Sequence, residues 1–159
     1  MRIGLGYDVH QLEKGDGIVL GGVRIPFNKS IKAHSDGDVV IHSVIDAVLG
    51  AAGMGDIGAH FPDNDPEYKN ADSRVLLRET EKLIRPKYLV GNLDVTVVAE
   101  APKIKHYREE MMLKIASDLR MQLGDVNIKA TTSEKMGFIG RGEGIAATSI
   151  CLLHPIGSV

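Results

Sequence analysis

Three side chains in the first part of the chain, Asp8, His10 and His42, are of types that bind zinc. Alternate residues of a β-strand point to the same face, so Asp8 and His10 would share a face if both lie on a strand. Zinc accepts carboxylate oxygen and imidazole nitrogen, and three protein ligands leave a fourth position open, as in catalytic sites. The spacing matches no common zinc motif, so a partly buried helix histidine paired with Asp38 or Asp46 stays open as an alternative. If His42 binds a metal, Asp46, one helical turn further on, could accept its other imidazole proton.

Two further segments combine groups that bind phosphate. Segment 34–38, HSDGD, precedes a predicted helix, whose free N–H groups and dipole favour an anion. Segment 131–144 combines hydroxyls, glycines and Arg141, which suit phosphate oxygens, and its Glu134 could hold a hard cation against a diphosphate. Taken by itself, the first segment favours an ordinary capping turn, and by composition alone the second could equally be a glycine-rich hairpin.

A strand and a helix would have to bring the three candidate ligands together. The alternation in residues 2–10 predicts a strand, with Gly4 and Gly6 on the face of the first two ligands. Glycines weaken a strand, so we expect these two to admit a close neighbour or a ligand. A helix is predicted over 38–52, with the third ligand on a polar stripe beside an apolar face. Its candidate N-caps are Ser35 or Asp36, and its stop is Gly53.

The remaining pattern predicts an α+β fold with a mixed sheet. Further predicted elements are a β-ribbon at 18–20 and 23–25, a helix at 73–84, a strand at 92–99, a helix from Pro102 to about Leu123, and strands at 126–131 and 145–153. Strands and helices alternate late in the chain, but the early ribbon breaks that pattern. The long acidic loop at 53–71 is typical of functional loops, and Asp56, Asp63 and Asp65 could bind the hydroxyls of a polyol.

Composition narrows the class of protein. Apolar residues make up 43% and charged residues 25% of the 159 residues, which is the balance of one soluble domain, 1–159. The net charge of −2 and the 4% aromatic content give no indication of a basic, base-stacking surface that would bind nucleic acid. No segment is long and apolar enough for a signal peptide or a membrane span. The single cysteine, Cys151, lies in an apolar stretch and suits a core thiol in a reducing, cytoplasmic compartment.

Several longer segments are far more specific than any zinc spacing rule. They are GYDVH at 6–10, GGVRIP at 21–26, AHSDGDV at 33–39, GDIG at 55–58 with FPD at 61–63, and KATTSEKMGFIGRGEGI at 129–145. With these segments in this order, essentially the whole chain resembles the 2-C-methyl-D-erythritol 2,4-cyclodiphosphate synthase family. Asn64 and Ser133 stand where many members carry threonine, and Tyr7 replaces a more familiar phenylalanine.

The resemblance implies a role for each matching residue. It implies zinc on Asp8, His10 and His42, a magnesium or manganese ion on Glu134, and His34 and Thr132 as catalytic residues. On the phosphate and methylerythritol side, the implied substrate contacts are Asp8, Val9, His10, His34, Ser35, Asp56, Ile57, Gly58, Phe61, Pro62, Asp63, Asn64 and Asp65. On the cytosine and diphosphate side, they are Ala99, Glu100, Ala101, Pro102, Lys103, Ile104, Lys105, Thr131, Thr132, Ser133, Glu134, Phe138 and Arg141.

The resemblance also implies a reaction and an assembly. The substrate's own 2-phosphate would attack the β-phosphorus of a cytidine-diphosphate-linked methylerythritol and expel CMP, which is phosphorus–oxygen lyase chemistry in the non-mevalonate route to isoprenoid precursors. The family implies a ferredoxin-like fold with helices on one face of the sheet, and a homotrimer with active sites between subunits. A zinc-dependent phosphohydrolase and a non-enzymatic module that binds a nucleotide or prenyl diphosphate are the alternative functions.

Overall fold

The structure, a computed structural model, describes residues 1–33, 35–62 and 71–157. Its strands are β1 (Arg2–Lys14), β2 (Gly17–Leu20), β3 (Val23–Pro26), β4 (Lys29–Lys32), β5 (Tyr88–Val98), β6 (Val126–Thr131) and β7 (Gly144–Pro155). Its helices are α1 (Val39–Ala52), α2 (Ile57–His60), α3 (Ser73–Ile84), α4 (Arg108–Asp118) and α5 (Gly137–Gly140). β1 and β5 extend beyond their predicted bounds because β4 and β7 supply pairing partners for the extra residues.

Five of the described strands form one mixed sheet in the order β4-β1-β7-β5-β6. β7 runs antiparallel to both β1 and β5, whereas β5 and β6 are parallel and are connected through α4. β1 and β5 are therefore parallel strands with β7 between them, the split β-α-β arrangement found in ferredoxin-like folds. α1 packs on β1 and β7, and α4 packs on β6, over the buried face of the sheet. The predicted α+β class with a mixed sheet is confirmed.

Two glycines let helix α1 lie directly against strand β1. A Cβ built on Gly4 would lie 1.9 Å from the carbonyl oxygen of Ala47, and one built on Gly6 would lie 1.9 Å from that of Ser43. The close neighbour that the glycines were expected to admit is therefore the backbone of α1. This contact fixes the distance between the strand that carries Asp8 and the helix that carries His42.

The N-terminus of α1 differs from the prediction. The N-cap is Asp38, not Ser35 or Asp36, and its carboxylate accepts a hydrogen bond from the N–H of Ile41. The same fully buried carboxylate accepts the N–H groups of Gly21 and Gly22 at the turn of the β2–β3 ribbon. The turn of the ribbon therefore determines which residue caps α1, because the Asp38 carboxylate is placed to accept hydrogen bonds both from the first turn of the helix and from the ribbon. Gly53 ends the helix in a left-handed conformation, as predicted.

Two other segments also depart from their predictions. The helix expected from Pro102 to about Leu123 is confined to α4, and a 3-10 turn covers Leu123–Asp125. Residues 102–104 are irregular and residues 105–107 form a turn instead, because Ile104 is buried at 3% exposure and residues around it line a cavity. Within the loop at 53–71, the short helix α2 is capped by Asp56.

The face of the sheet opposite to the helices exposes large apolar side chains. On β1, Ile3 is 74% exposed, Leu5 63%, Tyr7 54% and Val9 41%, and Ile150 on β7 is 46% exposed. A contiguous exposed apolar surface of this kind marks an interaction site more often than free protein surface. No helix among the described residues has both the length and the apolarity to cross a membrane.

Candidate active site

The carboxylate of Asp8 lies between the imidazole rings of His10 and His42. Its Oδ2 is 3.1 Å from Nδ1 of His10 and 3.1 Å from Nδ1 of His42, and the ring centroids are 5.3 Å apart. The donor atoms of all three residues lie within 4.8 Å of one another. The predicted convergence of these three side chains is therefore confirmed: strand periodicity places two of them, and the glycine contact with α1 brings the third.

This donor set fits a zinc ion. Nδ1 of His10 is buried and close to Asp8, yet it lacks the alignment of a hydrogen bond and has no other hydrogen-bond partner among the described residues. A buried unpartnered nitrogen is costly unless something else satisfies it. A metal beside two imidazoles and a carboxylate would satisfy it, and oxygen with two nitrogens is a ligand set that zinc accepts.

The electrostatics keep the carboxylate ionised. Burial raises the pKa of Asp8, but interactions with His10 and His42 outweigh this effect and lower its pKa to about 2. Burial alone would lower the pKa of His42, but the hydrogen bond and charge of Asp8 outweigh it and raise that pKa. The group is thus a carboxylate with two partly buried rings, a negative centre suited to a cation.

The other ring nitrogen of His42 corrects one prediction. Nε2 lies 2.9 Å from the Oγ of Ser73, the first residue of α3. Asp46 was predicted to accept this imidazole proton, but its carboxylate accepts the N–H of Ile57 at 2.8 Å instead. Residue Ser73 gave no signal in the sequence, because its contact with His42 depends on how α3 packs on α1.

A cavity of about 370 Å³ opens beside these ligands. Most of the residues predicted on the phosphate and methylerythritol side line it, namely Asp8, Val9, His10, Ser35, Ile57, Gly58 and Phe61. The sequence analysis did not find Gln11, Lys32, Ala33 and Leu76, which also line it. Asp56 lies outside this lining and caps α2 through the N–H of Ala59. Pro62 follows Phe61, while predicted residues His34, Asp63, Asn64 and Asp65 lie outside the described residues.

A second cavity, of about 330 Å³, lies at the ends of β5 and β6. It is lined by Ala99, Glu100, Pro102, Lys103, Ile104, Lys105, Thr131 and Thr132, which were all predicted on the cytosine and diphosphate side, and by Val97, Arg108 and Ala130, which were not. The predicted Ala101 is exposed and is not among these lining residues. The two cavities share no lining residue within the described part of the chain.

The turn after β6 is held by a carboxylate that was predicted to contact substrate. Oε1 of Glu100 accepts hydrogen bonds from the N–H groups of Ser133 and Lys135 and from the Ser133 hydroxyl. The bond from Lys135, followed by those from Ser133, lowers the pKa of Glu100. Thr132 donates its hydroxyl proton to Glu134 at 3.0 Å, so two of the predicted phosphate and cation ligands are adjacent.

The predicted residues Phe138 and Arg141 also line neither cavity. Phe138 lines a third depression together with Val9, His10 and Glu143. Arg141 forms a two-pronged ion pair with Glu143, at 2.8 and 3.1 Å, so its guanidinium is engaged within its own turn. The predicted site residues in the described part of the chain therefore fall into two cavities, here named the metal half (beside Asp8, His10 and His42) and the nucleotide half (at the ends of β5 and β6) after their predicted ligands, with the 137–144 turn bordering the first through Val9 and His10.

Comparison with known proteins places this geometry in context. The sequence model of the YgbB family matches residues 1–154. The 2-C-methyl-D-erythritol 2,4-cyclodiphosphate synthase of Pseudomonas putida (strain W619) is 58% identical over 156 residues, which is 98% of this chain and 99% of that protein. The synthase of Proteus mirabilis is 56% identical over 154 residues, 96% of each chain.

Solved structures agree with the sequence relatives. The bifunctional IspDF from Campylobacter jejuni is similar with a TM-score of 0.91 and 44% identity, over 96% of this chain and 42% of that longer protein. The IspF of Plasmodium falciparum, in its CDP complex, has a TM-score of 0.85 and 38% identity, over 97% of this chain and 96% of that one. A CDP-bound form of 2C-methyl-D-erythritol-2,4-cyclodiphosphate synthase has a TM-score of 0.88 and 33% identity, over 96% of this chain and all of that one.

Proposed function

The chain belongs to the YgbB family of 2-C-methyl-D-erythritol 2,4-cyclodiphosphate synthases, and we propose that it carries out their cyclisation as a single catalytic domain, 1–159. The proposed substrate is 4-diphosphocytidyl-2-C-methyl-D-erythritol 2-phosphate, and the products are 2-C-methyl-D-erythritol 2,4-cyclodiphosphate and CMP. The observation that carries the proposal is the convergence of Asp8, His10 and His42 beside a cavity in a chain so similar to named synthases.

The proposed step is an internal phosphoryl transfer. An oxygen of the 2-phosphate forms a bond to the β-phosphorus, and the bond from that phosphorus to the oxygen of the α-phosphate breaks, so CMP leaves with the electron pair. A phosphate monoester is largely dianionic near neutral pH, so the nucleophile needs no general base. CMP leaves as a phosphate anion, so no strong general acid is needed either. The step is a phosphorus–oxygen lyase reaction in the non-mevalonate route to isoprenoid precursors.

The chain's own residues orient the reacting groups and stabilise charge. The metal half would place the terminal phosphate, and the nucleotide half, with Lys103 and Thr131 in its lining, would hold the cytidine diphosphate. Two bound groups held in line react as if at very high concentration, which is the main contribution to rate available here. The Thr132 hydroxyl and His34 would stabilise charge on the transferring phosphoryl oxygens. Zinc on Asp8, His10 and His42, and magnesium or manganese on Glu134, would supply Lewis-acid neutralisation of the phosphates.

Oxygen-18 water tests the internal attack. The cyclic product and CMP should both remain unlabelled by mass spectrometry, because the tethered phosphate oxygen should react faster than a water molecule that must first lose a proton. Oxygen-18 in CMP or in a linear product would mean that water attacks the diphosphate, and the protein would then be a phosphohydrolase and not a cyclase. Binding of the substrate without release of CMP would instead indicate a non-enzymatic binding module. Loss of stoichiometric zinc in His42→Ala, by elemental analysis, tests the ligand set separately.

We also propose a cytoplasmic homotrimer with active sites between subunits. The exposed apolar face of β1 and β7 supports a subunit interface, and the separation of the metal and nucleotide halves supports a site completed by a neighbour. Sedimentation measures the number of subunits. Mixing inactive Asp8→Asn with inactive Lys103→Ala subunits should restore part of the activity after dissociation and reassembly, because some sites would then combine two intact halves. No recovery in verified mixed trimers would contradict shared sites.

A further inference from the structure

We propose that Ser73 and Asp36 are positioning residues that keep a hydrogen on Nε2 of His42 and so direct Nδ1, the nitrogen that contacts Asp8, towards the metal. The inference rests on the proposed metal site. Ser73 is fully buried at the start of α3, and its Oγ lies 2.9 Å from Nε2 of His42. The same hydroxyl donates to Oδ1 of Asp36, and the backbone N–H of Ser73 donates to Oδ2 of Asp36 at 3.0 Å.

The direction of these hydrogen bonds follows from counting protons. An ionised carboxylate accepts hydrogen bonds and donates none, so the single hydroxyl proton of Ser73 lies on the bond to Asp36. The Ser73 oxygen can then only accept from His42, and Nε2 must carry a hydrogen. In a neutral imidazole, this arrangement leaves the lone pair on Nδ1. Nδ1 is the nitrogen that faces Asp8, at 3.1 Å from its Oδ2, so without a metal it can keep a proton and donate it to the carboxylate, and a zinc ion would take the place of that proton.

The chain of bonds also fixes the ring in space. Asp36 lies in the segment before α1, His42 lies on α1 and Ser73 begins α3, so three separate elements meet at one hydroxyl. Oδ1 of Asp36 also accepts the N–H of Asp38, at 3.2 Å, which holds the carboxylate in place from its own segment. A ligand ring whose second nitrogen is held in this way binds its metal more tightly, because its tautomer, orientation and basicity are already set.

Removing the hydroxyl should weaken zinc binding without unfolding the protein. Ser73→Ala deletes one buried oxygen, and Asp36→Asn keeps the shape of the side chain while removing the charge that takes the hydroxyl proton. Loss of such an outer partner reduces metal affinity by about 10- to 100-fold, measured here with zinc and a competing chelator. The matched control is Thr80→Val, which removes another fully buried hydroxyl of α3 that donates to the carbonyl of Leu76 and not to His42.

The tautomer supplies a readout that a merely structural role would not change. In the metal-free protein, Asp8 competes for the ring hydrogen at Nδ1, so nitrogen-15 NMR of the neutral His42 ring at alkaline pH should show the larger share of Nε2–H in the parent and in Thr80→Val. Ser73→Ala and Asp36→Asn should shift the ring towards Nδ1–H, because Asp8 is then its main acceptor. If both variants keep the parent's tautomer and zinc affinity, the inference is wrong. A parent protein that binds no zinc would refute the proposed metal site, whereas the NMR measurement on the metal-free protein decides the role of Ser73 and Asp36 separately.

Discussion

The substitution Gly6→Ala would test how tightly the fold and the metal site are linked. A Cβ at this position would lie 1.9 Å from the carbonyl oxygen of Ser43 and 2.7 Å from the backbone nitrogen of Ala47. Ordinary contacts between non-bonded heavy atoms lie near 3.5 Å, so α1 would have to retreat from β1 by about 1.5 Å. Both clashing atoms belong to a helix backbone, so no side-chain rotation can relieve the overlap.

The magnitude follows from two opposing effects. Overpacking in a well-filled interior costs about 1–3 kcal/mol, and the rigid helix backbone places this case at the upper end. Replacing glycine by alanine in a strand raises the unfolding free energy by about 0.5–1 kcal/mol, because alanine lowers the conformational entropy of the unfolded chain. The net loss of unfolding free energy should therefore be about 2 kcal/mol. Metal sites tolerate deviations of only about 0.2 Å, so a retreat of this size should lower zinc affinity by more than about 100-fold.

Urea denaturation and zinc competition would measure both effects on one protein. The matched control is Gly124→Ala, because the same added methyl group meets nothing within 4 Å there. Parent and variants must be compared at equal protein concentration, since assembly contributes to apparent stability. If Gly6→Ala shows the urea midpoint and zinc affinity of Gly124→Ala, the glycine contact does not set the distance between β1 and α1, and the reasoning fails.

Three further predictions concern carboxylates. The Asp8 pKa of about 2 lies below the ordinary 3.8, so this group stabilises the metal-free protein above pH 4 and that stabilisation, about 2 kcal/mol at most, is lost as pH falls towards 2. The unfolding free energy of Asp8→Asn should lack this part of the acid dependence. Asp38→Ala should lose about 3 kcal/mol or more in urea denaturation, because it leaves three backbone N–H groups without their acceptor. Glu134→Gln should shift the magnesium or manganese titration of activity upward by at least about tenfold, because an amide lacks the charge that a hard cation prefers; an unchanged titration would mean that Glu134 is not a ligand.

Local periodicity explains why the metal ligands could be predicted from the sequence. Asp8 and His10 share a face because the side-chain period of a strand is two, and the glycines on that face indicated a close neighbour. His42 falls on the polar stripe of a helix whose apolar face had to pack on the sheet. Only three-dimensional packing could show that the neighbour at the glycines is the helix that carries His42.

Long-range contacts explain the wrong predictions. The cap of α1 is set by the turn of a ribbon that lies earlier in the chain, and the helix expected from Pro102 starts late because Ile104 enters the core. Ser73, and not Asp46, lies within hydrogen-bond distance of the second ring nitrogen of His42, because α3 brings a buried hydroxyl to the ring. In each case the local sequence is compatible with more than one cap, helix start or hydrogen-bond partner, and the packing of distant segments determines which one forms.

Strand β1 connects the proposed chemistry to the proposed assembly. Its even-numbered residues from Gly4 to His10 face α1 and supply two metal ligands, while its odd-numbered residues from Ile3 to Val9 form the exposed apolar face. A shift of one residue in its pairing with β7 would exchange the two faces, burying four large side chains against α1 and turning the proposed ligands towards the proposed subunit interface. The face against α1 does not tolerate that exchange, because α1 leaves no room for a Cβ at Gly4 or Gly6. The same two glycines therefore fix the register of the strand, the geometry of the proposed metal ligands and the apolar surface proposed as a subunit interface.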